Sequence, residues 1–216
     1  MKKSLFLALC LIAFSSLRLM AETIPATDTR ITYVGRTAVQ GTSVSFDWTA
    51  TYFRITFSGQ SLTMKASDTK RNYYNVWIDS PTSAEPHRVI AVAGNDTVIE
   101  LVDPTFLKKS RRAVHEVIVQ KRTEGEQGTT TIHEFTTLKG TFSASTPLAE
   151  RQLEFIGDSY TCGYGIDAKS RLEKFTPETE NASRSYAAIV SRYFGADYVA
   201  IAHSGMGIAR NYTSNF

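Results

Sequence analysis

From about residue 30 to residue 145 the chain alternates apolar and polar side chains in short runs, each closed by turn residues. Val44-Ser45-Phe46-Asp47-Trp48 sends every second side chain to one face, which is the two-residue period of a half-buried strand. Tyr52–Phe57 repeats the pattern and Ser58-Gly59 ends it. Ile31–Val34 precedes these runs; Leu62–Ala66, Tyr73–Asp79, Arg88–Val92, Thr97–Leu101, Val114–Val119 and Thr130–Leu138 follow, with Thr141-Phe142 last. Gly94-Asn95-Asp96 reads as a turn between two of the strands. Short strands at even spacing predict a β-sandwich of jelly-roll type.

The pattern changes near Pro147. Leu153-Glu154-Phe155-Ile156 reads as a strand, and Tyr198–Ala202 as a second. Between them lies a polar loop, Asp167–Arg184, expected to be exposed. Tyr186, Ile189, Val190, Tyr193 and Phe194 then fall at helical spacing, and Gly195 suits the helix stop. Strand, helix, strand is the opening of an α/β sheet. The predicted organisation is a signal segment at 1–21, a sandwich at 22–148 and the first part of an α/β domain at 149–216. Two strands and one helix leave an open edge and an uncovered apolar face, so residues 150–216 are expected to be loosely held.

The N-terminus changes how the composition is read. Lys2 and Lys3, the apolar run Leu5–Leu17 and the small-residue site Leu19-Met20-Ala21 form a secretory signal. The mature chain is therefore expected to be secreted or periplasmic. Lys2, Lys3 and Arg18 account for the whole formal charge of +3. The remainder is balanced, which argues against nucleic acid as a partner. No later apolar run is long enough to cross a bilayer, so no membrane association is expected after signal cleavage. Cys162 is the only cysteine outside the signal, so no internal disulfide is expected.

The candidate chemistry sits where the first α/β strand ends. Gly157-Asp158-Ser159 follows an apolar strand and leads into Gly163 and Gly165. A serine at such a turn is exposed to attack a carbonyl, given a base and donors for the oxyanion. The Gly-x-Ser-x-Gly elbow does not apply, because its last position is Thr161. A second glycine block, His203-Ser204-Gly205-Met206-Gly207, follows the second strand. The two blocks together resemble those of the SGNH (GDSL-type) hydrolases. The resemblance implies that Ser159 is the nucleophile and offers one oxyanion N–H. It implies a second N–H from Gly205, with Gly207 as the alternative. Asp158 would fix the turn, and Asp158, Tyr160 and Tyr164 would line the substrate site.

Three segments narrow the resemblance to carbohydrate esterase family 2, a sandwich joined to an SGNH domain. They are Tyr73–Asp79, His115-Glu116-Val117 through Lys121-Arg122-Thr123-Glu124, and the paired glycine blocks. What this implies is a secreted serine esterase that removes O-acetyl groups from polysaccharides such as xylan or glucomannan. No metal and no cofactor are expected; no Cys, His and carboxylate cluster has ligand spacing.

The chain also departs from the pattern. The Gly-x-Asn-Asp block and the Asp-x-x-His block, which carry the third oxyanion donor and the base, are not in their places; none of the four histidines follows an aspartate at that spacing. His203 reads as a strand-end histidine and Cys162 as a small residue packed behind the serine turn. The expectation is an N-terminal fragment, with the base and the third donor beyond residue 216. The alternatives are a carbohydrate-binding sandwich with a non-catalytic α/β remnant, and an SGNH lipase or thioesterase. Trp48, Tyr52, Tyr73, Tyr74 and Trp77 could form a sugar platform, although strand alternation sends about half of such side chains to the core.

Overall fold

The structure is a computed structural model and describes residues 21–212. The predicted signal peptide, apart from Ala21, lies outside the described residues.

Ten short and long strands build the first half: β1 (Glu22–Pro25), β2 (Thr32–Val34), β3 (Ala38–Gln40), β4 (Ser43–Phe46), β5 (Tyr52–Phe57), β6 (Leu62–Ile78), β7 (Arg88–Val102), β8 (His115–Lys121), β9 (Thr130–Thr137) and β10 (Phe142–Ser143). All of them belong to one sheet, and every pairing in it is antiparallel. The 17-residue β6 organises it. Its first part, Leu62 to Asp68, lies beside β9; its last part, Tyr74 to Ile78, lies beside β8; β7 runs along both.

This corrects two details of the sequence reading. Leu62–Ala66 and Tyr73–Asp79 are parts of one bent strand, and so are Arg88–Val92 and Thr97–Leu101. Gly94-Asn95-Asp96 is an irregularity inside β7, not a turn between strands. Register shifts fall at Ala66/Asp68 and Asp68/Arg71 of β6, with Asp68 opposite Gly94. Gly94 (φ +74°) and Asp96 (φ +51°) adopt left-handed backbone, which bends the pair while pairing resumes on either side. The expected two-sheet sandwich is thus one continuous sheet curled over a single core. Phe53, Phe57, Leu62, Met64, Val76, Val117, Val119, Ile132 and Phe135 fill it, each essentially inaccessible to solvent. Phe53 and Phe135 meet edge to face at 5.2 Å. A short helix, α1 (Pro104–Lys109), was not predicted; Asp103 caps it by accepting from the N–H groups of Thr105 and Phe106.

The second half holds β11 (Gln152–Gly157), the one-turn α2 (Ser159–Cys162), α3 (Tyr186–Tyr193) and β12 (Asp197–Ala202). Strands β11 and β12 are parallel, from Gln152 beside Asp197 to Gly157 beside Ala202. The helix α3 sits where predicted, but it is turned the other way. Ala187, Ala188 and Ser191 are buried, whereas Tyr186, Ile189, Tyr193 and Phe194 are exposed. The reason is proximity. Ala182, Ala187, Ala188 and Ala200 form a second core with Val34, Ala50, Tyr52 and Tyr198, and only small side chains let the two halves approach that closely.

Residues 149–212 carry the uncovered apolar face that the sequence predicts, in Ile156, Ile189, Tyr193 and Phe194, and on the other side they are tied to the sheet by buried polar contacts. The Asp197 carboxylate accepts from Tyr52 Oη at 2.6 Å, from the Arg54 guanidinium, and from Ala149 N–H at 2.7 Å. Burial pushes this carboxyl up, but the Arg54, Tyr52 and Ala149 donors outweigh that and hold it below its ordinary value. Arg122, just past β8, donates to Asp167 Oδ2 (2.6 Å), Glu178 O (2.9 Å), Glu180 O (3.1 Å) and Asn75 Oδ1 (3.1 Å). The far end of the loop predicted as exposed is therefore drawn in, and Thr179 to Ser183 are buried.

Candidate active site

Local chemistry dictates the serine turn. A Cβ on Gly157 would stand 2.0 Å from Thr161 Oγ1, so the strand can turn this sharply only at glycine. Asp158 then caps α2, its Oδ1 accepting from Tyr160 N–H at 3.0 Å. Gly163 closes the turn at φ +74°, and a Cβ there would meet Asn181 O at 2.4 Å. Cys162 is buried beneath the turn.

Parallel pairing brings the second block to the same place. Gly157 and Ala202 are register partners, so Asp158-Ser159 and His203-Ser204-Gly205 leave the sheet side by side. Together with Glu126, Tyr164, Met206, Gly207 and Arg210-Asn211-Tyr212 they line a cleft of about 780 Å³. Of the predicted site residues, Asp158, Ser159, Tyr164, Gly205 and Gly207 line this cleft. Tyr160 is exposed and lines an adjoining recess that shares Ser159 and Tyr164 with the cleft and adds Gly163 and Ile166. Tyr164 stacks on Phe175, with ring centroids 3.6 Å apart. Gly205 has φ +79°. Gly207 N–H is engaged by Asn211 Oδ1 at 3.2 Å, which favours Gly205 over Gly207 as an oxyanion donor.

The four histidines are all occupied elsewhere. His203 Nδ1 donates to Ser204 O at 2.8 Å, and its Nε2 lies 3.4 Å from Glu126 Oε1. His115 pairs with Asp79 at 2.7 Å, His133 lies between Ser43 and Ser67, and His87 packs against Phe106. None makes a hydrogen bond to Ser159 among the described residues. The five aromatics do not share one exposed face: Tyr52, Tyr74 and Trp77 are buried, whereas Tyr73 is half-buried and donates to Glu178, and Trp48 is half-buried beside Arg36.

Sequence reasoning missed the acidic residues behind the cleft. Glu124 Oε2 accepts from Ser204 N–H at 2.6 Å and from the Cys162 thiol at 3.7 Å. Glu124 N–H donates to Glu180 Oε2 at 3.1 Å. One ligand atom from each of Glu124, Cys162 and Glu180 falls within 4.8 Å of the others. Ligand spacing along the chain gave no sign of this trio, because it comes from three separate segments. Burial first, then the neighbouring Glu124 carboxylate, pushes the Glu180 carboxyl up to about 8. Burial also lowers the Lys121 ammonium to about 8 and pushes the Cys162 thiol up. Lys121 Nζ is satisfied by Thr123 O at 2.7 Å and Glu124 O at 3.0 Å. The only sequence signal was the Lys-Arg-Thr-Glu stretch itself.

Known proteins give this arrangement a family. The profile described as "Carbohydrate esterase 2 N-terminal" matches residues 33–147. An acetylxylan esterase / glucomannan deacetylase of Cellvibrio japonicus is 33% identical over 178 residues, covering 81% of this chain and 46% of that protein. The cellulase/esterase CelE of Acetivibrio thermocellus is 30% identical over 165 residues, covering 76% of this chain and 19% of that protein. A family two carbohydrate esterase from Clostridium thermocellum, solved in complex with cellohexaose, superposes with a TM-score of 0.76 at 29% identity, covering 85% of this chain and 54% of that one. The chain belongs to carbohydrate esterase family 2. It spans about half the length of the Cellvibrio relatives it matches and about a fifth of CelE.

Proposed function

We propose that the full-length protein is a secreted serine esterase that removes O-acetyl groups from plant cell-wall polysaccharides of the xylan or glucomannan kind. The observation that carries this is the meeting of Ser159 and Gly205 at one edge of β11 and β12, in one cleft. Residues 149–216 are read as the start of an SGNH hydrolase domain and residues 22–148 as its partner domain. Ser159 Oγ attacks the acetyl carbonyl and forms a tetrahedral intermediate. The N–H groups of Ser159 and Gly205 face the developing oxyanion, the kind of donor whose loss costs about 10²–10³ in rate. Asp158 holds the turn, while Tyr160 and Tyr164 border the sugar beside Ser159.

The Ser159 proton needs a base, and His203 is committed to Ser204 and Glu126. The reading therefore expects the histidine base and an asparagine donor from a segment outside these 216 residues. Relatives about twice as long as the matched region support that expectation.

Acetate release from acetylated xylan and glucomannan by the full-length protein tests the reading. Ser159→Ala is expected to abolish it, and the 216-residue chain alone is expected to keep only residual turnover. Unchanged turnover in Ser159→Ala overturns the proposal. Strong turnover by the 216-residue chain overturns the external base.

A further inference from the structure

We infer that the antiparallel sheet contributes a clamp to the active site: Glu124, sharing one proton with Glu180, is a positioning residue for the Ser204–Gly205 peptide. This rests on the esterase reading only for its effect on turnover; the clamp itself can be read without turnover.

The geometry starts from the peptide that carries the Gly205 N–H. A trans peptide holds its N–H opposite its C=O in one plane. The C=O of this peptide belongs to Ser204 and accepts from His203 Nδ1 at 2.8 Å. The Ser204 N–H, one peptide earlier, is held by Glu124 Oε2 at 2.6 Å. With both sides of Ser204 anchored, the direction of the Gly205 N–H is set before any substrate arrives. Preorganisation of this kind is what makes an oxyanion donor effective.

The proton follows from the same contacts. Glu124 and Glu180 are both completely buried, and Oε1 of each meets no donor among the described residues. Two bare carboxylates this close would repel, and each orphaned oxygen would carry a desolvation cost. One carboxylate oxygen of each lies within 4.8 Å of the other, and a single proton held by the pair removes the repulsion and gives an orphaned oxygen a donor. Glu180 keeps the proton, in line with its raised pKa, and the pair then carries one negative charge. Lys121 and Arg122 face that charge from the end of β8, bonding the Glu124 and Glu180 carbonyls. Cys162 faces it from α2 as a thiol donor, with Asp158 and Tyr164 near it on the same turn. His203 faces it from the end of β12, 4.0 Å from Glu124 Oε2, with Glu126 on the outer side of its ring. No second proton acceptor is needed, and Glu124 Oε2 stays free to hold Ser204.

Three variants of the full-length protein test the clamp. Glu124→Ala is expected to lower kcat by roughly 10-fold to 100-fold, below the cost of deleting an oxyanion donor, with KM little changed. Glu124→Gln, which can still accept from Ser204 N–H, is expected to restore most of that loss. Wild-type kcat is expected to fall as pH rises through about 8, where the pair loses its proton, and Glu180→Gln is expected to remove that limb. Two readouts need no substrate. A protonated-carboxyl stretch in the infrared at neutral pH should vanish in Glu180→Gln. Amide exchange at Ser204 and Gly205 should quicken above the same pH by more than the intrinsic hydroxide-catalysed rise in the wild type, and only by that rise in Glu180→Gln.

Wild-type kcat in Glu124→Ala, or an alkaline limb unchanged in Glu180→Gln, overturns the clamp. So does a thiolate charge-transfer band on adding cobalt(II) to chelator-treated protein, which would make the trio a metal site. If the wild type releases no acetate while the infrared and exchange signatures stand, the esterase reading fails and the clamp survives.

Discussion

The curled sheet and the parallel pair behind it solve burial in opposite ways. In the sheet the large side chains point inward: Trp77, Tyr74, Phe53 and Phe57 are essentially inaccessible. In the parallel layer several large ones point outward, with Ile156 79% and Tyr193 83% exposed, while alanines and Tyr198 make the contact. An antiparallel sheet that bends over itself can cover its own apolar face. A parallel pair needs other elements on both faces, and here the sheet domain covers one of them. The attachment is correspondingly polar, through Asp197, Arg122 and Asn181. The sheet stands on its own core, and the serine turn depends on the junction.

The comparison can be broken most severely from inside the sheet. Phe53→Ala is expected to cost about 3–5 kcal/mol, since the curled core has little room to collapse; urea unfolding measures it, and a loss below 1 kcal/mol would contradict a single shared core. Arg54→Ala should cost about 3 kcal/mol, because it strips the cation from Asp197, a nearly buried carboxylate. That loss should appear first as faster amide exchange in β12, with the sheet still protected.

Acidity sharpens the junction further. The folded state raises the Glu180 carboxyl from its ordinary 4.5 to about 8. The stability this adds is complete below pH 4.5 and is lost as pH rises toward 8. Glu180→Gln should flatten that slope in thermal melts taken across the window; an identical slope would show that Glu180 does not carry it. Gly94→Ala is a smaller test of the bend, expected to cost about 1 kcal/mol at its left-handed backbone. Tyr193→Ala is the opposite pole, within about 0.5 kcal/mol in the 216-residue chain, because its ring is mostly in solvent.

The period-two runs were legible because a strand's alternation survives in any fold that buries one face. Tyr52–Phe57 and Val44–Phe46 needed nothing more. What the alternation does not encode is continuity: Asp68 to Asn72 is polar, so β6 reads as two strands, although backbone pairing with β7 carries it through the bend. The helix near Tyr186 was legible by its spacing, but its orientation was not. Apolar spacing marks a face, and here alanines pack while tyrosines and isoleucine remain outside. Around the cleft, the Gly157–Gly165 and Gly205–Gly207 stretches were legible as turns because each follows an apolar strand; a role for Ser159 came only from the two blocks together and the resemblance they carry. Glu124, Glu180 and Cys162 were not, since they meet only when three distant segments fold together.

By itself, then, the sequence determined the strand-rich first half, the change of period near Pro147 and the two glycine turns, because each depends on neighbours a few residues away. Tertiary structure alone decided that the sheet is one curled surface, that the small face of α3 is the inner one, and that a glutamate at the end of β8 stands behind the serine turn. Those outcomes depend on which buried groups find partners across the chain, and sequence spacing carries no record of that.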